Sequence, residues 1–176
     1  DVKAIAVGSE YSTTLPYYYI PPGANPTTEP EDPSISTDGT GQYGYLYNWC
    51  GAMGGQASTS ACAEATTPLP DVTVSICPAG WRLPTGHPGG ELTALNDAVN
   101  GGLSSADQGL RETWLSQWGG LWGSTFLSQG LSGGYWSSSQ SSLPNTARRL
   151  SVGESRARAS TNDAKSYGFS VRCIAL

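Results

Sequence analysis

The sequence predicts a loop-rich α+β domain, and three observations lead to this fold class. Two segments in the middle of the chain carry apolar residues at helical spacing. The last forty residues alternate between apolar and polar side chains, as antiparallel strands do. Finally, 23 glycines and 12 prolines among 176 residues predict many turns, while six tryptophans and nine tyrosines exclude a disordered chain. We expect a single domain over residues 1–176.

The N-terminal half is expected to hold short strands separated by loops. Val2–Val7 alternates weakly, which predicts a strand near the edge of a sheet. Residues 16–42 are rich in proline, threonine and glycine and predict a long irregular excursion, which Tyr17–Ile20 would pin to the body of the domain. Tyr43–Met53 predicts a strand that runs into a short helix, and Val72–Ile76 alternates like a short strand.

Helices are predicted in the middle of the chain, before a set of strands. Leu92, Leu95 and Val99 recur at helical spacing and predict a helix over Glu91–Val99. A second helix is predicted over Asp107–Trp118, and the two glycines that follow would end it. The expected strands, joined by short turns, are Tyr135–Ser139, Thr146–Gly153, Arg156–Thr161 and Gly168–Ile174.

The four cysteines predict two disulfide bonds, and three connectivities are possible. We favour Cys50–Cys62, which closes a local loop, and Cys77–Cys173, which joins the middle of the chain to its end. Free structural thiols and a chemical role are the alternatives, although the chain has no close C-x-x-C pair for zinc. Disulfide bonds form in oxidising places, so they predict an extracellular, cell-surface or virion-displayed protein.

The motifs that suggest enzymes lack the sequence context that those enzymes need. Residues 39–44 satisfy G-x-G-x-x-G, but no strand precedes them and no βαβ unit follows. Gly130–Gly134 satisfies G-x-S-x-G around Ser132, but strand-like residues follow it, and the only histidine, His87, lies in a turn-rich surface stretch. No catalytic residue, cofactor or metal site is predicted, and an enzyme is the minority interpretation.

Charge and hydropathy restrict the partners. Nine basic and fourteen acidic residues give a formal net charge of −5, which argues against binding along a nucleic-acid backbone. The longest apolar runs are only a few residues, so no transmembrane segment is expected. We expect a protein or surface ligand as the partner, and the sequence leaves its identity and the oligomeric state open.

Four stretches of the chain form a specific set: Tyr43–Trp49 (YGYLYNW), Cys77–Thr85 (CPAGWRLPT), Gly133–Ser139 (GGYWSSS) and Gly168–Ile174 (GFSVRCI). In this order and spacing they resemble the Fibrobacter succinogenes major paralogous domain family, with the match strongest over residues 40–176. This resemblance implies a C-type lectin-like fold of the branch that includes formylglycine-generating enzymes, with two helices and a twisted antiparallel sheet. It also implies surface display, since members occur in adhesins, pilus-associated proteins and surface lipoproteins.

Two activities of that fold are not carried over to this chain. Calcium-dependent sugar-binding lectins use an E-P-N or Q-P-D tripeptide, and the nearest match here, Leu69-Pro70-Asp71, lacks the first polar ligand. The later W-N-D tripeptide of those lectins has no match either. Formylglycine-generating enzymes use a close pair of active cysteines late in the chain, where this sequence has only Cys173. The resemblance therefore favours binding over catalysis.

A further resemblance concerns the segment 141–167. It is similar to the variable regions of proteins diversified by diversity-generating retroelements, which often use this fold. In those proteins the varied residues lie in the C-terminal strands and loops. The resemblance implies a variable ligand-binding surface between the WSSS and GFSVRC motifs.

Strand alternation indicates which residues of this segment face outward. Leu150 and Val152 suit the core side of one strand, whereas Arg149, Ser151 and Gly153 fall on the other side. With the neighbouring turns as a rim, the candidate ligand-binding residues are Ser141, Ser142, Leu143, Asn145, Arg149, Ser151, Gly153, Arg156, Arg158, Ser160, Asn162 and Asp163.

The next strand extends this face and allows two interpretations. Ala157 and Ala159 are expected to point inward, whereas Arg156, Arg158 and Ser160 point outward. Arginine and serine suit a contact surface, because arginine anchors and serine adapts. They also suit the solvated face of any antiparallel sheet. Most of the arginines of the chain fall in this stretch, which favours a contact surface for an anionic ligand.

We therefore expect a non-catalytic module for ligand or receptor recognition, of the adhesin or variable-protein kind. Its outward residues should be exchangeable at a cost of about 0.5 kcal/mol or less each, whereas Trp136 and Trp81 should pack in the interior. The alternatives are a structural pilin or surface subunit and, less favoured, a catalyst like the formylglycine-generating enzymes.

Overall fold

The computed structural model describes residues 6–7, 12, 15–20, 45–54, 74–100, 119–143, 145–153 and 157–176. These residues form an α+β fold with two helices and four small sheets, none of which closes into a barrel. The predicted α+β class is confirmed. Within the described ranges, no helix has the length and apolar character needed to cross a membrane.

Three short strands from the N-terminal half form one sheet. β1 (Ala6–Val7) pairs in parallel with β2 (Tyr17–Tyr19), and β2 pairs antiparallel with β3 (Leu46–Tyr47). β1 lies at the edge of this sheet, as the alternation of residues 2–7 predicts. β3 leads into helix α1 (Trp49–Ala52), which confirms the strand and short helix expected there.

Asn48 joins this sheet to α1 and is fully buried. Its side-chain oxygen accepts hydrogen bonds from the backbone N–H groups of Gly51 and Tyr17, both at 2.9 Å, so it caps the helix and holds β2. Its side-chain nitrogen donates to the carbonyl oxygens of Ser12 at 3.0 Å and Leu15 at 2.7 Å. One buried amide therefore satisfies four backbone groups, which is its full hydrogen-bonding capacity.

Strand β4 (Trp81–Arg82) and helix α2 (Glu91–Asn100) are joined by an ion pair, and α2 confirms the first predicted helix. Arg82 donates two hydrogen bonds to the Glu91 carboxylate, at 2.6 and 2.5 Å. The Thr85 N–H donates to the same carboxylate, and the Thr85 hydroxyl accepts from the Glu91 N–H, both at 2.9 Å. The hydrogen bonds from Arg82 lower the pKa of Glu91 to about 2.

A short hairpin precedes the main sheet. β5 (Leu121–Gly123) pairs antiparallel with β6 (Thr125–Leu127) around Ser124, whose φ of 57° lies in the left-handed region. The second predicted helix, Asp107–Trp118, lies outside the described residues.

The largest sheet in the described part of the chain is an antiparallel meander. Its three strands, in the order β7-β8-β9, are β7 (Ser132–Gln140), β8 (Thr146–Gly153) and β9 (Ala157–Ala164). They confirm three of the four strands predicted near the C-terminus.

The prediction of a fourth strand, over residues 168–174, is wrong. Residues 168–170 make isolated bridges to Trp122, Tyr47 and Tyr135, which lie in three different sheets. The segment is used as a link between sheets, because the Phe169 side chain is fully buried between them. Only Ile174–Ala175 forms a strand, β10, which pairs antiparallel with β4.

The Cys77–Cys173 disulfide lies beside the β4–β10 pair and confirms that predicted bond. Its cysteines are 96 residues apart in sequence. By chain entropy, closing a loop of that length stabilises the fold by about 4–5 kcal/mol. Cys50 is also disulfide-bonded, and its predicted partner, Cys62, lies outside the described residues.

Two expectations near this disulfide are wrong. Residues 74–76 form no strand, because the Ile76 N–H donates to the Ala52 carbonyl after α1 instead of to a neighbouring strand. Trp81 is 50% exposed, since its two-residue strand pairs only with β10 in the part of the chain that the structure describes. Trp136, by contrast, is fully buried as expected.

The core fills both faces of the meander. The largest cluster lies on one face and contains Trp49, Ala52, Met53, Leu83, Trp136, Ala147 and Phe169. A second cluster lies under α2 and contains Leu92, Tyr135, Leu150, Val152 and Ala157. A third cluster joins the N-terminal sheet to the β5–β6 hairpin, where the rings of Tyr19 and Trp122 stack at 3.8 Å.

We predict that Asn48→Ala lowers the free energy of unfolding by about 3 kcal/mol, because it leaves buried backbone groups without partners. Urea unfolding monitored by tryptophan fluorescence measures this change. Asn162→Ala, at an exposed position, is the control and should cost about 0.5 kcal/mol or less. Equal effects of the two substitutions would contradict the central role of Asn48.

Candidate functional site

The β7-β8-β9 meander has two faces that carry different residues. The face toward α2, here called the helix face, carries Tyr135 and Leu150, which lie directly opposite each other. The other face, called the Phe169 face, carries Trp136 and Arg149, which also lie opposite each other. The rings of Phe169 and Trp136 meet edge to face there, with centroids 4.8 Å apart. Since cross-strand partners point to the same side, the register assigns each residue to a face.

The inward half of the predicted alternation is confirmed. Leu150, Val152 and Ala157 are at most 3% exposed and pack with Leu92 of α2. Ala159 is partly buried against the same cluster. The helix face is therefore the core side that the sequence predicted for β8 and β9.

The predicted exposure of Arg149 is wrong, since its side chain is only 12% accessible. Its Nε donates to the Asp163 carboxylate at 2.5 Å, and its guanidinium carbon lies 4.3 Å from the centroid of the Phe169 ring. Burial lowers the pKa of Arg149, and the charge of Asp163 opposes that shift. Arg149 is buried because the Phe169 ring packs over it. The same ring lies so close to Gly134 that a Cβ at that position would meet it. Arg149 and Asp163 are therefore held inside a packed contact.

Arg158 and Ser151 keep the orientation that the sequence predicts. They lie opposite each other on the Phe169 face, where Arg158 is exposed and Ser151 is partly buried. Gly153, at the end of β8, is partly buried as well. Arg156 lies outside the described residues. Of the arginines of this hairpin that the structure describes, Arg158 is thus the exposed one.

Ser160 lies on the other face from Arg158, contrary to the predicted alternation. The register shifts between two pairs, Arg149 with Thr161 and Ser151 with Arg158, so β9 holds one extra residue there. The Arg148 guanidinium donates to the Ser160 hydroxyl at 2.7 Å, which places Ser160 on the side of Arg148. Because of that bulge, the residues of β9 from Ser160 onward face the opposite side of the sheet from the one that strict alternation predicts.

Asn162 is exposed and lies opposite Arg148 in the register of β8 and β9. Arg148, two residues before Leu150 on β8, lies on the same face as Leu150 and is partly buried. Asn162 therefore belongs to the helix face, whereas Arg158 belongs to the Phe169 face. The two exposed residues of β9 point to opposite sides of the sheet.

The predicted rim at the β7–β8 turn divides into structural and exposed residues. Ser141 is buried, and its hydroxyl accepts from the Leu143 N–H at 3.2 Å, so it shapes the turn. Asn145 adopts a φ of 55°, and its buried side-chain oxygen has no hydrogen-bond partner among the described residues. Ser142 and Leu143 are exposed, Leu143 at 56%.

Four predicted contact residues are therefore exposed among those that the structure describes: Ser142, Leu143, Arg158 and Asn162. They lie at both ends of the hairpin. Arg158 pairs with Ser151, five residues along β8 from Thr146, a distance of about 17 Å at roughly 3.4 Å per residue. A small molecule is too short to touch both the β7–β8 turn and Arg158.

Lys165 is a site residue that the sequence did not reveal. It is 1% exposed, and its ammonium donates to the Gln140 side-chain oxygen at 2.6 Å. The same nitrogen lies 4.4 Å from the Trp49 ring centroid, a cation–π geometry. Burial lowers the pKa of Lys165 to about 8. No periodicity marks this lysine, because its environment comes from α1 and β7, which are distant in sequence.

The C-terminal part of the chain is basic although the whole chain is acidic. Two of the fourteen acidic residues lie between residues 145 and 176, namely Glu154 and Asp163. The same stretch holds six of the nine basic residues, which are Arg148, Arg149, Arg156, Arg158, Lys165 and Arg172. The balance of charges in this stretch is therefore positive and favours anionic partners.

The enzyme-like motifs gain no support from their surroundings. Ser132 opens β7, so the residues after it continue as a strand and not as the helix of a nucleophile elbow. His87 lies exposed in the turn before α2. Over the described ranges, no three His, Cys, Asp or Glu residues come together as metal ligands would. The G-x-G-x-x-G match at residues 39–44 lies outside those ranges.

No protein-family model, curated protein or solved structure matches this chain. The resemblance to the Fibrobacter succinogenes major paralogous domain therefore stays a prediction from the quoted motifs.

We predict that Arg149→Ala lowers the free energy of unfolding by about 2 kcal/mol, because Asp163 loses a charged hydrogen bond in a packed site. Arg158→Ala removes the same side chain from an exposed position and should cost about 0.5 kcal/mol or less. Chemical denaturation of the two matched variants measures the difference. Similar stabilities would show that the contact of Arg149 with Phe169 and Asp163 contributes nothing.

We predict that the stability of the protein rises with pH above 8 because of Lys165. Its pKa is about 8 when folded and near 10.5 when unfolded, so in this window the unfolded chain binds a proton that the native state lacks. The gain is on the order of 2 kcal/mol between pH 8 and pH 10. Tyr47 has the opposite effect only above pH 10, since burial raises its pKa to about 12.

Lys165→Met should abolish this rise, because methionine does not titrate. Urea unfolding at pH 7, 8, 9 and 10 compares the variant with the native chain, and Arg158→Gln serves as the exposed control. A rise that persists in Lys165→Met would assign it to another group.

Proposed function

We propose that this chain is a non-catalytic recognition module whose contact surface is the exposed part of the β8–β9 hairpin and its preceding turn. This hairpin surface consists of Ser142, Leu143, Arg158 and Asn162. The observation that carries the proposal is the separation of these residues from the buried scaffold beneath them. Their side chains have no part in the clusters that fill either face of the meander.

The scaffold beneath the hairpin surface is rigid enough to present it. β7 is buried along most of its length, and Trp136 donates to the Tyr47 carbonyl at 2.7 Å. The Cys77–Cys173 bond links the segment before β4 to the residue before β10, the strand that pairs with β4. Preorganised surfaces of this kind lose little conformational entropy when they bind.

We propose a macromolecular ligand with an acidic contact region. About 17 Å of β8 separates the turn from Arg158, a distance that a protein-sized partner spans and a metabolite does not. The basic balance of residues 145–176 and the exposed Arg158 favour negative charge on that partner. Leu143 adds an exposed apolar contact at the far end.

The finer proposals follow the resemblance of the sequence. A C-type lectin-like topology, extracellular or virion display and diversification of segment 141–167 are all compatible with a disulfide-linked α+β domain. Under diversification, the coding DNA should have a nearby near-copy of this segment that differs only at adenines. The differing codons should fall at exposed positions such as Arg158 and Asn162, and spare Lys165.

A structural surface subunit is the second candidate, and exposed apolar side chains away from the hairpin favour it. Trp81 is 50%, Leu127 49% and Leu176 83% exposed. Static light scattering separates the two candidates, because a subunit assembles through such residues and a recognition module stays monomeric.

We predict that a random-peptide phage library panned on the immobilised protein yields acidic peptides that depend on Arg158. Arg158→Glu should weaken their binding at least tenfold, because it replaces attraction by repulsion at the contact. Biolayer interferometry with the enriched peptides measures the affinities.

Leu176→Glu is the control, because it adds a negative charge at an exposed position outside the hairpin surface. It should change the affinities less than twofold. The proposal fails when no acidic peptide is enriched, or when the enriched peptides bind Arg158→Glu as tightly as the native chain.

A further inference from the structure

We propose that the ligand binds by strand addition, as an extended acidic peptide segment that pairs with the outer edge of β9. This inference rests on the proposed function and names its partner chemistry and its binding mode. It follows from the orientation of two exposed side chains and from the hydrogen bonds of one strand.

The two exposed residues of β9 lie on opposite faces of the sheet. Arg158 faces the side of Ser151, and Asn162 faces the side of Arg148. Both faces are partly covered, one by Phe169 and the other by α2. The surface that Arg158 and Asn162 share is therefore the edge of the strand, which a ligand reaches from the side.

The outer edge of β9 offers backbone groups for pairing. β9 pairs with β8 on one side and closes the sheet order β7-β8-β9 in the described part of the chain. Among the residues that the structure describes, no backbone hydrogen bond other than that pairing begins or ends at residues 157–163. Such an edge is a template for another extended segment.

The length and regularity of this edge suit a short peptide. β9 has eight residues, and Thr161–Asp163 pairs in regular register with Ala147–Arg149, whereas the Ala164 carbonyl already accepts from the Tyr167 N–H at 3.0 Å. The extra residue beyond Thr161 twists the other half, a device that protects edges from unlimited pairing. A partner therefore finds one short regular stretch, beside the exposed Asn162.

Charge selects an acidic partner for this edge. Arg158 is exposed on β9 itself, and Arg148 lies on the neighbouring strand. The acidic residue of β9, Asp163, is neutralised by its ion pair with Arg149. An acidic segment is attracted here, whereas a second copy of β9 would place Arg158 near its own counterpart.

The experiment uses the whole protein and a short fluorescent peptide of alternating threonine and glutamate. Its matched control has the same sequence with N-methyl groups on alternate backbone nitrogens, which removes donors along one edge and keeps every charge. Fluorescence anisotropy measures both affinities, and sedimentation velocity of the protein alone reports self-association. We expect the plain peptide to bind and the N-methylated peptide to bind at least tenfold more weakly.

Equal binding of both peptides would overturn strand addition and leave acidic-ligand recognition by the hairpin surface intact. Absence of binding by either peptide would also overturn it, while the phage selection separately decides the proposed function. A dimer that forms through β9, and that Arg158→Glu changes, would replace the peptide by a second copy and overturn the proposal. Tenfold discrimination against N-methylation, together with a monomeric protein, would support it.

Discussion

The packing of Phe169 across the meander is the interaction on which the rest of the structure depends. Its backbone N–H and carbonyl both bond to Tyr47, at 2.9 and 2.8 Å, which ties the N-terminal sheet to the C-terminal segment. Its ring fills the space over Gly134 and meets Trp136 and Arg149. Since one face of the meander is closed in this way and α2 closes the other, solvent reaches the hairpin mainly at its turn and its outer edge.

Local sequence pattern predicted the parts of this fold that depend on local rules. Period-two alternation assigned Leu150 and Val152 to the core, and helical spacing placed α2. The predictions that failed concern residues whose surroundings are set by contacts between segments far apart in the chain. Arg149 is enclosed by a residue twenty positions later, and Lys165 is buried by α1. Sequence alternation has no signal for either, nor for the bulge that reorients Ser160.

The basic residues of the C-terminal stretch serve two purposes that composition alone does not separate. Arg149 and Lys165 stabilise the interior, one through an ion pair and one through the Gln140 oxygen and the Trp49 ring. Arg158 is left at the surface. Because Asp163 offsets the charge of Arg149, Lys165 is the one of these two buried residues that adds to the positive charge near the hairpin. Basic residues of the same stretch thus stabilise the scaffold and give the contact surface its charge.

The Cys77–Cys173 bond has a mechanical consequence. Tension applied between the two ends of the described chain passes along residues up to 77, crosses the covalent link and leaves through residues 173–176. Everything between residues 78 and 172 lies off that path, including α2, the meander and the hairpin surface. A partner held by the hairpin would therefore be attached outside the covalent path that carries the tension.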